Sequence, residues 1–98
     1  MTPVIFRKFK EGDIIAIFPT MSGTLNQYTC NSYQHIGQHG SCDPISLIQN
    51  TKLAKPEEYE ELFQELINIG YDDLKVYKRY QYKFLEEIKS ELKRLEQI

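Results

Sequence analysis

The apolar residues of this 98-residue chain change their period at Pro56, and that change limits the class of fold it can adopt. Before Pro56, Pro3 to Phe9 and Ile14 to Phe18 are runs rich in β-branched and aromatic residues, separated by Lys10-Glu11-Gly12-Asp13. Two such runs joined by a short glycine-containing loop predict a β-hairpin, with Gly12 supplying a positive φ. The second run is apolar on both faces, which makes it the more central strand. Pro19 has no N–H to donate and is expected to end it. After Pro56, Tyr59, Leu62, Phe63, Leu66 and Ile67 follow the spacing of one buried helical stripe. Pro56 suits a first helical position, and Glu57, Glu58, Glu60 and Glu61 lie where the helix dipole favours negative charge. Gly70 is the expected stop.

Between these parts, Tyr28 to Ile36 predicts a third strand. Tyr28, Cys30, Ser32, Gln34 and Ile36 would share one face, and Thr29, Asn31, Tyr33 and His35 the other. Gly37 to Pro44 is expected to turn the chain and Ile45 to Gln49 to form a short fourth strand. Leu74 to Tyr80 alternates as a last strand, with Leu74, Val76 and Tyr80 inward. From Tyr82 the period is helical again. Leu85, Ile88, Leu92 and Leu95 form an a/d seam of about two heptads, which packs back on the domain or pairs with a second copy as a homo-oligomer. The expected fold is therefore α+β: a mainly antiparallel sheet of four to five strands packed on the helix of 56–69, plus a C-terminal amphipathic helix. Residues 1–80 form the domain and 81–98 the terminal helix. The expected core is Ile5, Phe6, Ile15, Ile17, Tyr59, Leu62, Phe63, Leu66, Leu74 and Val76.

Composition excludes several classes. The hydrophobic fraction of 41% and charged fraction of 27% are those of an ordinary globular protein. No apolar run approaches the roughly 20 residues of a membrane helix, and Val4-Ile5-Phe6 is too short for a signal peptide core. A cytoplasmic location is expected, where two cysteines are thiols or metal ligands rather than a structural disulfide. A net charge of −2 argues against a general nucleic-acid binder.

Every cysteine and histidine of the chain lies in the polar stretch Cys30 to Asp43. Cys30, His35, His39 and Cys42 have the donor types of a tetrahedral zinc, but the spacing matches no known knuckle, and strand parity sets Cys30 and His35 on opposite faces. Cys42 with His39 or His35 and Asp43 has the residue types of a nucleophilic site, which adjacency in sequence does not assemble. Gly37-Gln38-His39-Gly40-Ser41 could present backbone N–H groups to an anion. Asn31, Gln34, Gln38 and the histidines would add polar contacts, and Tyr28 or Tyr33 could stack on a base. The plainer alternatives are half-buried thiols, hydrogen-bonded imidazoles and glycines that only make a turn. Lys75, Lys78, Arg79 and Lys83 alternate with Tyr77, Tyr80 and Tyr82, a pattern that suits single-stranded nucleic acid but equally a solvated face beside core tyrosines.

The run from Val4 to Pro19, Ser32-Tyr33-Gln34-His35-Ile36-Gly37-Gln38-His39-Gly40, Lys55 to Tyr59 and Ile69 to Val76 carry a resemblance. Over these segments the chain resembles a family of small bacteriophage and mobile-element proteins of gut-type bacteria, the Tyr-Gln-His-Ile-Gly-Gln-His-Gly segment being the specific part. The resemblance implies a phage origin, the host bacterial cytoplasm and an anti-defence or other host-directed role, and it brings no site residues with it. Together these observations predict a non-catalytic binding protein without a cofactor. Its expected site is Tyr33, Gln34, His35, Gly37, Gln38, His39, Gly40 and Ser41, within the 33–43 segment, holding a nucleotide-like ligand or a host protein. A zinc-stabilised nucleic-acid or protein adaptor is the alternative.

Overall fold

The computed structural model describes residues 2–23, 28–34 and 38–96, with only the backbone of Ser22, Gln38, Leu95 and Glu96. Its elements are β1 (Thr2–Lys8), β2 (Ile14–Ser22), β3 (Cys30–Gln34), β4 (Gln38–Cys42), α1 (Pro44–Gln49), β5 (Lys52–Leu53), α2 (Pro56–Asn68), β6 (Leu74–Val76) and α3 (Tyr82–Glu96). The fold is α+β. The strands form one sheet in the order β4-β3-β2-β1-β5, antiparallel throughout this path, and β6 joins β1 in parallel.

A helix covers each face of the sheet, which explains why β1 and β2 are apolar at consecutive positions. Val4, Phe6, Ala16, Phe18 and Tyr33 pack under α2 with Leu62 and Leu66. Ile5, Ile17 and Cys30 point the other way and pack under α3 with Phe84, Ile88 and Leu92. Ile88 and Leu92, two residues of the expected seam, are thus buried against the sheet. They are joined there by Phe84, while Leu85 is only half-buried and Leu95 lies outside the described side chains. No helix among the described residues is long and apolar enough to cross a membrane.

Turn chemistry holds the first hairpin as expected. The amide of Phe9 donates to the Asp13 carbonyl, that of Gly12 donates to the Phe9 carbonyl, and Gly12 has φ +100°. Four other expectations need correction. Pro19 does not end β2; it is buried where the register with β3 shifts between Phe18 and Ser22, the kind of irregularity at which a strand tolerates proline. Residues 38–42 of the expected turn are strand β4, paired with β3 from Gln34↔Gln38 to Cys30↔Cys42. The expected fourth strand over 45–49 is helix α1 instead. Asp43 caps it, its carboxylate accepting from the amides of Ile45 (3.0 Å) and Ser46 (3.3 Å), with Pro44 at the first turn. Val76, expected in the core, is 37% exposed because β6 lasts only three residues on the outer side of β1. Tyr59, Phe63 and Leu74 border the core and are only partly buried.

Candidate functional site

The hairpin of β3 and β4 closes one end of the sheet, and β4 is its edge strand. His39, Gly40 and Ser41 are exposed on it. The register pairs Tyr33 with His39, which puts both side chains on the α2 face. Their rings meet edge to face at 4.7 Å between centroids. Tyr33 itself is 1% exposed, so its ring is core and cannot stack on a ligand as expected from the sequence.

Tyr71 completes the group from a distant part of the chain. Helix α2 ends in a Schellman arrangement, in which the Tyr71 amide donates to the Leu66 carbonyl and the Gly70 amide to that of Ile67. Gly70 takes φ +123°, which an L side chain resists. The reversal lays the Tyr71 ring flat on Phe18, 4.9 Å between centroids, and sets its hydroxyl 3.2 Å from His39 Nε2. Burial pushes the Tyr71 phenol pKa up, so the hydroxyl keeps its proton. Tyr33, His39, Ile69, Gly70 and Tyr71 line a shallow hollow of about 440 Å³ beside the edge strand. Ile69, on its rim, is 48% exposed.

A second hollow of about 440 Å³ borders the same edge strand and is lined by Ile15, Ser32, Gln34, His39, Gly40, Ser41 and Cys42. Cys42 pairs with Cys30 across the strands, sulfur to sulfur 3.7 Å. Gln38, Gly40 and Cys42 alternate with His39 and Ser41, so the two cysteines lie on the α3 face and His39 on the other. Of the four residues considered for zinc, Cys30 and Cys42 meet and His39 is turned away, while His35 lies outside the described residues. Among the described residues no three His, Cys, Asp or Glu side chains are grouped to hold a metal ion.

The anion cradle expected over 37–41 needs the same kind of correction. Its described part, Gln38 to Ser41, is extended strand. Amides of an extended strand point alternately to opposite sides and do not converge on one anion. Gly37 and Ile36 lie outside the described residues. Among the described residues, neither hollow is lined by a Lys or Arg. Of the expected site, the structure thus brings together Tyr33, His39 and the exposed strand of Gly40 and Ser41, with Gln34 opposite Gln38 at the hairpin's end. It adds Ile69, Gly70 and Tyr71, which sequence reasoning missed. The signal for them was the helix stop Gly70 followed at once by an aromatic residue.

No family model, curated protein or solved structure matches this chain.

Proposed function

We propose that this chain is a non-catalytic binding protein that takes an extended segment of a partner protein along the edge of β4. The observation that carries this reading is the position of His39. It stands on an exposed edge strand, its ring held by Tyr33 and its nitrogen by the Tyr71 hydroxyl, above an open hollow. An edge strand offers a row of backbone N–H and C=O groups to an added strand, and a pocket beside it selects one side chain of the guest. The hollow is walled by aromatic, aliphatic and imidazole groups, which favours an apolar or aromatic guest side chain with a polar tip reaching His39. The absence of Lys and Arg among the described lining residues, and of a convergent set of amides in β4, weighs against a phosphate-bearing nucleotide. The resemblance to phage and mobile-element proteins makes a protein of the host bacterium, in its cytoplasm, the natural partner; a defence protein would fit.

Immobilised wild-type protein and three variants, offered a bacterial lysate, test this. Ile69→Asp charges the rim of the hollow, and His39→Ala removes the imidazole. Tyr82→Ser changes a side chain that is 71% exposed on α3, far along the chain from the hairpin. Capture of the same host protein should fall at least about tenfold for the first two, a loss near 1.4 kcal/mol, and be unchanged for the third. Equal capture by all three variants, or a thermal shift with nucleotides in place of protein capture, would overturn the proposal.

A further inference from the structure

We propose that Cys30 and Cys42 are a redox-active dithiol that exchanges with low-molecular-weight disulfides, with Cys42 attacking first and Cys30 closing a cross-strand disulfide. This rests on the hairpin geometry alone and is independent of what β4 binds. Directly opposed residues of an antiparallel pair have Cα atoms about 4.5–5.5 Å apart, and a disulfide accepts about 4.4–6.8 Å. The register Cys30↔Cys42 therefore meets the backbone requirement before any movement. The sulfurs already stand 3.7 Å apart, so closing to the ~2.0 Å of a bond asks for rotation of two side chains rather than a shift of the sheet.

The two thiols differ in access. Cys30 is fully buried beneath α3 among Phe84, Ile88 and Leu92. Cys42 is half-buried and opens on the hollow formed with Ser32, Gly40 and Ser41, through which a small disulfide can approach. The local chemistry points the same way. The hydrogen bond between the two sulfurs lowers the Cys42 pKa against the effect of its burial, and the Ser32 hydroxyl adds to the lowering. Cys30 is itself raised, first by that hydrogen bond and then by burial. Cys42 is thus the more acidic thiol of the pair and the better placed to attack.

The exchange balances without a further reagent. The Cys42 thiolate attacks one sulfur of R–S–S–R, giving a Cys42–S–S–R mixed disulfide and releasing one thiolate. That step removes the charge at Cys42 that kept Cys30 protonated. Cys30 then loses its proton to water, its thiolate attacks Cys42 Sγ, and the second R–S⁻ leaves; the two protons that Cys42 and Cys30 gave up to water protonate the two released thiolates. Two electrons pass from the protein dithiol to the small disulfide, which becomes two thiols.

The full-length protein incubated with oxidised glutathione, followed by intact mass and peptide mapping, is the test. The wild type should lose both thiols, fall in mass by two hydrogens, keep no glutathione and yield one Cys30–Cys42 linked peptide. Cys30→Ser should stop with one glutathione on Cys42, and Cys42→Ser should stay unmodified. A wild-type product that retains glutathione overturns the proposal. So do thiols that persist while an unstructured cysteine peptide in the same tube exchanges fully. Should Cys30→Ser fail to fold, the wild-type product decides alone.

Discussion

Replacing Phe84 by Ala should remove a large part of the protein's stability, while Leu85→Ala should cost far less. Phe84 is fully buried between α3 and the sheet, with edge-to-face contacts to Tyr77 (5.1 Å) and Tyr80 (5.8 Å). Truncating a buried Phe to Ala costs about 3–5 kcal/mol, and loss of two aromatic pairs, worth about 0.5–1.5 kcal/mol each, favours the upper half of that range. A domain of this length holds only about 5–15 kcal/mol in total. With a urea slope of about 1–3 kcal/mol/M, the midpoint should fall by roughly 2 M. Leu85 is half-buried, so its truncation removes part of a side chain's burial, about 1 kcal/mol. Urea unfolding of both variants beside the wild type, followed by circular dichroism, measures the two costs. If Leu85→Ala proved as costly as Phe84→Ala, the packed face of α3 would be the 85/88/92/95 seam, and the assignment of Phe84 to the core would be wrong.

Two further outcomes follow from close contacts in the structure. A Cβ on Gly23 would lie 2.6 Å from the Cys30 carbonyl oxygen and 2.6 Å from Ser41 Cβ. Gly23→Ala should therefore destabilise by about 1–3 kcal/mol, whereas Gly40→Ala, whose Cβ would meet, among the described residues, only the Ser32 hydroxyl at 3.8 Å, should be tolerated; thermal melts compare them. The Glu58 carboxylate accepts from the Lys8 ammonium and from the Lys55 amide at 2.9 Å, and these bonds hold its pKa below the usual carboxylate range. A depressed carboxylate contributes stability above its unfolded pKa and loses it as pH falls through the folded one. Melting temperature should accordingly drop with acidification below about pH 4.3, and Glu58→Gln should flatten that part of the profile; an unchanged profile would discount the contact.

The parts of the fold that were legible in the sequence are those where local pattern and tertiary burial agree. β1, β2 and their Gly12 turn are apolar at nearly every position, and α2 carries a helical stripe with Pro56 and Gly70 at its ends. Helix α1 was also legible in principle, since Asp43-Pro44 is a cap followed by a first-turn proline, but its short apolar run reads equally as strand. β4 was not legible. Gln38-His39-Gly40-Ser41-Cys42 has no strand propensity of its own, and only pairing with β3 makes it extended. This difference carries over to the site, because an extended segment cannot be an anion cradle yet can be a docking edge. Residue type alone marks His39 as a candidate. Its neighbours Tyr33 and Tyr71 depend on hairpin register and on how α2 ends, neither of which a linear pattern specifies.

Amide hydrogen exchange across Gln38–Cys42, in the free protein and with a captured partner, tests the binding surface most directly. If β4 is the docking edge, its outward amides exchange quickly in the free protein and become protected in the complex, while those of α3 are unchanged. Protection confined to α3 or to the Lys75–Lys83 region, with β4 exchanging as before, would contradict it.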